Sequence, residues 1–246
     1  MQNALLKIIP FLLFVACTQF STPVSAQGLQ YHLAKADSLF AQKRYTQSLD
    51  LYTSVFNQGQ YTPAMFLKMA YIEEGLDHVP QAMHYLNLYY LVTQDERAVT
   101  KIKEVASTKK WDGYEFNDFE RFMSLYHRYH MLIALSLMAI CTVFLFLLVW
   151  QRVRQHKASM GLWIVLLICS ALLAAHINFP AQYRTGIVAN SNTYLMTGPS
   201  AGASVAQIIN EGHRVRIIGK RDVWLKVQWH DKEAYIRQDQ LLPVVL

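Results

Sequence analysis

His127 and His130 are three residues apart, so on a helix they would share one face, close enough for two imidazoles to hold one metal ion. The surrounding sequence supplies no third ligand, and both are expected to be polar residues near a membrane interface instead. Glu73 and Glu74 are adjacent carboxylates, but neighbours on a helix point in different directions and cannot act on one atom. Thr197-Gly198-Pro199-Ser200-Ala201-Gly202 contains glycine but no lysine and no following helix, so it reads as a turn and not as a phosphate loop. There is no Gly-x-Ser-x-Gly elbow, His-Glu-x-x-His, paired Cys-x-x-Cys or Gly-Lys-Ser/Thr. The reading is a chain without catalytic residues, cofactor or metal. Methionines and aromatics remain as the groups that could recognise a partner.

Two uncharged runs dominate the elements that must position those groups. Residues 131–150 and 160–178 carry no charge, and the nine residues between them hold Arg152, Arg154 and Lys157 with no acid. As helices, each run spans about 28–30 Å, the thickness of bilayer hydrocarbon. The three cations place the connecting loop in the cytoplasm, so both flanking segments are expected on the opposite side. The amino terminus points the same way. Lys7, the apolar stretch from Ile8 to Ala16 and the sequence Val24-Ser25-Ala26 describe a secretory signal cut after Ala26. Phe14-Val15-Ala16-Cys17 offers lipidation at Cys17 as an alternative, and a retained anchor is a third.

Charge and cysteine usage exclude other classes. Residues 27–129 carry 11 Lys plus Arg against 12 Asp plus Glu, and residues 185–246 carry seven against five. Most of the net charge of +6 therefore belongs to the signal and the membrane loop, and no nucleic-acid footprint is present. Cys17 lies in the signal, while Cys141 and Cys169 lie within the uncharged runs. Neither soluble segment holds a thiol, so neither has a disulfide.

Upstream of the membrane the pattern predicts short amphipathic helices. Leu49, Tyr52 and Phe56 fall at helical spacing, as do Ala82, Leu86 and Tyr89. Thr62-Pro63 reads as a helix start, with Gly75 closing that helix in the left-handed conformation. A further helix is expected near residues 97–106. Asn117 and Glu120 suggest a capping box that opens one helix running into the bilayer, with Tyr126, Tyr129 and Trp150 as interfacial aromatics. Tyr45 and Val79, Ser48 and Ala82, and Tyr52 and Leu86 are each 34 residues apart. A 34-residue period of paired helices resembles the tetratricopeptide repeat. That resemblance places Leu33, Asp37, Phe40, Met65, Met69 and Ile72 along a concave groove. The lysine and asparagine clamp of some members is missing, so an apolar helix or strand is a better ligand than a peptide carboxylate. Packing against a third helix is the alternative role for these side chains.

Beyond the membrane the period changes to two. Val215 and Ile217 alternate with Arg214 and Arg216, and Leu225 and Val227 with Trp224 and Lys226. Five short strands with turns near residues 198–200, 210–212, 219–222 and 230–232 predict a small closed barrel. Tyr194 to Ser200, Ile208 to Gly212, Val215 to Gly219, Trp224 to Val227 and Ala234 to Ile236 together resemble a bacterial SH3-like domain. The resemblance implies binding of peptides or wall fragments, with Tyr194, Trp224, Trp229 and Tyr235 available to line a groove. Their alternative role is packing and strand pairing.

The fold class expected is thus a multidomain membrane protein. It has a signal (1–26), α-helical tetratricopeptide-like repeats (27–106), a juxtamembrane helix (107–129) and two transmembrane helices (130–151 and 160–179) joined by a cytoplasmic loop (152–159). A C-terminal all-β SH3-like small barrel (185–246) follows. This order, together with Lys110-Trp111-Asp112-Gly113-Tyr114-Glu115 and Tyr126-His127-Arg128-Tyr129-His130, resembles the E component of the Bacteroides aerotolerance (Bat) operon, the BatE-like family. The resemblance implies a bacterial inner-membrane scaffold displaying its TPR and SH3-like modules in the periplasm for protein–protein interaction. Implied partners are von Willebrand A-type Bat membrane proteins and, indirectly, a MoxR-type ATPase, with a link to oxidative stress. A peptidoglycan-binding sensor or anchor is the alternative function.

Overall fold

Residues 26–115, 118–155, 160–178 and 184–246 are described in this computed structural model. Residues 1–25 of the signal with Cys17, the cap Asn117 and the loop cation Lys157 lie outside the described residues. The chain divides into two compact units, with the boundary at Tyr61/Thr62, inside the segment 27–106 read from sequence as one helical stack.

The first unit contains helices α1 (Ala26–Ala41) and α2 (Tyr45–Asn57). They form a hairpin with a tight connection in which Lys43 takes a left-handed φ of 60°. Small residues let the helices approach: Ala36 and Ser48 are fully buried, and the Ser48 hydroxyl donates to the Ala36 carbonyl at 2.8 Å. Tyr52, also fully buried, donates its hydroxyl to Asp37 Oδ1 at 2.5 Å. Burial and the Asp37 carboxylate both push the Tyr52 phenol far above its ordinary range, so it stays a donor.

The second unit begins with α3 (Pro63–Gly75), α4 (Val79–Thr93) and α5 (Glu96–Lys109). The start of α3 follows the sequence reading. Thr62 is extended, its hydroxyl accepts from the Met65 amide at 3.2 Å, and Pro63 occupies the first helical position. Its end differs: Gly75 is still helical, and Asp77 supplies the left-handed residue, with φ of 60°. An aspartate tolerates that conformation through local polar bonding, so glycine is not required there. Thr62→Ala is expected to cost about 1 kcal/mol, while Thr62→Ser leaves stability unchanged. Denaturant midpoints of the solubilised chain measure both.

Helix α4 packs on α3 and α5 and also against the sheet, which makes it the centre of the unit. It is buried around most of its circumference; Ala82, Met83, His84, Asn87, Leu88 and Tyr90 are all inside. Asn87 satisfies its amide by donating to the Met83 carbonyl at 2.7 Å. His84 Nδ1 is buried with no hydrogen-bond partner among the described residues, and burial drives its imidazole down to about 4. Asp95 caps α5 by accepting from the Arg97 amide at 3.0 Å, and the Arg97 guanidinium pairs with the same carboxylate. Those hydrogen bonds hold the Asp95 carboxyl at about 2.

Helices α6 (Asp118–Gln155) and α7 (Met160–Asn178) form a hairpin. Within them, Tyr129–Arg154 and Met160–Asn178 have mean hydropathies of 2.9 and 2.3 and are long and apolar enough to cross a membrane. Almost none of their residues are buried, unlike the core helix of a water-soluble domain. Arg152 and Arg154 are exposed in the last turn of α6. At the opposite end, His176 of α7 bridges to α6. Its Nε2 donates to the His130 carbonyl at 3.0 Å, which leaves Nδ1 to accept the Tyr126 hydroxyl at 2.5 Å.

The C-terminal segment forms an antiparallel sheet of β1 (Arg184–Val188), β2 (Thr193–Met196), β3 (Val205–Ile209), β4 (Arg214–Arg221), β5 (Trp224–Trp229), β6 (Lys232–Arg237) and β7 (Leu241–Val244). The spatial order is β3-β2-β6-β5-β4-β1-β7. Strands β2 to β6 are the five expected from alternation. β1 and β7 were missed because β1 is buried on four successive residues and β7 contains Pro243, so neither shows a period of two. The sheet is open and not closed as expected: β3 and β7 are its edges. Proline is tolerated at the β7 edge, and α4 packs against both β1 and β7. Leu195, Val215, Leu225, Val227, Trp229 and Ile236 belong to a hydrophobic core cluster of this sheet. The β5–β6 hairpin closes with His230 and Asp231 at φ of 43° and 61°, the two positive angles that match strand twist.

Candidate functional site

Between α5 and α6 the chain crosses to the sheet, and residues 111–114 are fastened to the turn between β3 and β4. The Arg214 amide donates to the Asp112 carbonyl at 3.0 Å, the Asp112 amide donates to His213 Nδ1 at 3.0 Å, and the Tyr114 hydroxyl donates to the Gly212 carbonyl at 2.7 Å. The turn is itself held to β1, because the Gly212 amide donates to Val188 and the Val188 amide to His213. Two glycines make the approach possible. A Cβ on Gly113 (φ +88°) would sit 1.9 Å from the Arg214 carbonyl oxygen. One on Gly212 (φ +83°) would sit 2.0 Å from the Trp111 ring.

This clasp borders a cleft of about 770 Å³. Trp111, Tyr114 and Trp229 supply aromatic lining; Lys103, Arg214 and Arg216 supply cations; Asp112, Glu115 and Asp231 supply carboxylates. Trp229 meets His213 edge-on at 5.2 Å and His230 at 4.2 Å between ring centroids. Asp112 Oδ2 lies 3.8 Å from His213 Nδ1 and 3.6 Å from His230 Nε2. Burial lowers the His213 imidazole below 6.5, against the upward pull of Asp112 and with a further push from His230. Burial raises the Tyr114 phenol, which therefore remains protonated. Because His213 Nδ1 already accepts the Asp112 amide, its lone pair is engaged. Among the described residues no group of three or more His, Cys, Asp or Glu is placed to hold a metal ion. The arrangement suits recognition: stacking faces, with charged and amide groups of both kinds around them.

The residues singled out from sequence are scattered. Of Tyr194, Trp224, Trp229 and Tyr235, only Trp229 lines the cleft. Tyr194 is exposed on β2, opposite Ile208 of the β3 edge. Trp224 is buried at the start of β5 on the face opposite Trp229, and Tyr235 is half-buried beside Met196 and Lys226. The four aromatics do not form one groove, because alternation along β5 separates its two tryptophans. Met65, Met69 and Ile72 are buried at 1%, 0% and 2% exposure, as core side chains are. Phe40 is half-buried on α1 and stacks edge-on with Tyr45. Ala26 is the first residue of α1. Sequence reasoning missed His213, Arg214 and His230 as site residues and saw Trp111 to Tyr114 only as a family signature. The glycine-bearing turns at residues 112–113 and 211–212 were the available signal. No protein-family model matches this chain, and no curated protein sequence does.

Proposed function

We propose that this chain is a BatE-like, non-catalytic inner-membrane adaptor that presents two periplasmic modules to membrane-anchored protein partners. The clasp carries this reading: it ties the segment before the membrane helices to the sheet after them, which requires both on one side of the bilayer. Arg152 and Arg154 at the far end of the hairpin support a reading in which that side lies outside the cytoplasm. A tetratricopeptide-like module is supported by the starts of α2 and α4 at Tyr45 and Val79, and an SH3-like module by strands β2 to β6 and their tight turns. The cleft beside the clasp is the recognition surface. Its partners are von Willebrand A-type membrane proteins, and a MoxR-type ATPase is reached through them.

Photo-crosslinkers placed at Lys103 and His230, both exposed and both lining the cleft, test the proposal in native membranes. Mass spectrometry is expected to recover a von Willebrand A-type membrane protein. Recovery of wall fragments alone, with the solubilised chain sedimenting on purified peptidoglycan, would replace the adaptor by a wall sensor or anchor. The stacking faces of Trp111 and Trp229 are what favour that second reading.

A further inference from the structure

We infer that the clasp is a proton-operated fastening: a proton on His213 Nδ1 releases residues 111–114 from the β3–β4 turn. In the clasped state that nitrogen accepts the Asp112 amide at 3.0 Å, so the ring is the neutral tautomer carrying its hydrogen on Nε2. A proton on Nδ1 sets donor against donor across this distance and removes the bond. The same linker and turn are also joined by hydrogen bonds from Arg214 to Asp112 and from Tyr114 to Gly212, which share the contact that this loss weakens.

Charged and titratable groups around His213 act in both directions. From the linker, the Asp112 carboxylate lies 3.8 Å away and favours the proton, but this carboxylate is more than half exposed and its attraction is screened. From the β5–β6 turn, His230 opposes a second positive charge, with Asp231 beside it. Glu211 and Arg214 flank His213 in its own turn, and Lys103 of α5 and Glu115 line the same cleft. The neutral Tyr114 hydroxyl adds no charge. The His213 side chain is only 16% exposed, and burial is the largest influence on it. The clasped state therefore binds the proton less readily than the released state, whose imidazole has its ordinary value of 6.5. By linkage, clasp stability is complete above that value and declines as pH falls below it.

Hydrogen exchange of the full chain in detergent, corrected for intrinsic pH dependence, reads the release at the Arg214 amide. Between about pH 7.5 and 5.0, protection is expected to fall in the native chain by clearly more than the roughly twofold allowed for the non-titrating variant below. His213→Asn places an oxygen where Nδ1 stood, accepts the Asp112 amide and does not titrate, so its protection is expected to change by less than about twofold. His230→Asn removes the opposing charge without touching any clasp hydrogen bond and is expected to move the release midpoint to higher pH. Equal native protection at both pH values, an equal fall in His213→Asn, or an unmoved or lowered midpoint in His230→Asn would each overturn the inference.

Discussion

Gly113→Ala is expected to detach the linker from the sheet. The new methyl would lie 1.9 Å from the Arg214 carbonyl oxygen, a backbone atom that cannot swing aside as a side chain could. The φ of +88° adds about 1–2 kcal/mol of backbone strain for any residue with a Cβ. Relief requires the linker to withdraw, which breaks the Arg214–Asp112, Asp112–His213 and Tyr114–Gly212 hydrogen bonds at about 1 kcal/mol each. The clasp therefore loses about 3 kcal/mol or more, an approximately hundredfold fall in exchange protection at the Arg214 amide. The β-sheet core, built from Val188, Leu195 and Val227, does not include the linker and stays folded. Gly75→Ala is the matched control: a Cβ there meets nothing within 4 Å and its φ is helical, so stability rises by about 0.5–1 kcal/mol.

Acid is expected to weaken the helical part of the second unit through His84. Its ordinary value of 6.5 falls to about 4 in the folded chain because the ring is buried. Unfolded, His84 takes a proton below pH 6.5; folded, it resists until about pH 4. Stability associated with this residue is complete above pH 6.5, declines across pH 6.5 to 4 and is level below that. The fall from 6.5 to about 4 corresponds to about 3 kcal/mol. Denaturant unfolding followed by helix ellipticity from pH 7 to 4 measures the slope. His84→Leu removes the titrating group, and its curve should be flatter across that window by about the same amount. A slope unchanged by the substitution would show that other groups carry the acid response.

Legibility in the sequence tracked how local each determinant is. The helix pair announces itself because charge is absent over 20 and 19 successive residues, a property that no neighbour can alter. Strands β4 to β6 were readable because their buried and more exposed residues largely alternate, whereas β3 is exposed at four of its five residues. β1 failed that test because Thr185 to Val188 are buried on both faces, and β7 because pairing with β1 alone defines it. On α3, methionine spacing identified a face but not what lies against it, and Met65 and Met69 turned out to be interior. The candidate site was least visible. Gly113 and Gly212 matter only because each meets atoms about a hundred residues away in the chain, and no periodicity encodes that meeting.

The paired ring nitrogens of His176 have a mechanical consequence. One points at a backbone carbonyl on the neighbouring rod and the other at a phenol four residues earlier on it. A piston stroke of one turn, about 5.4 Å, or a twist of either rod about its axis would part both contacts at once. The two contacts therefore fix the register of the two rods at the end opposite Arg152 and Arg154.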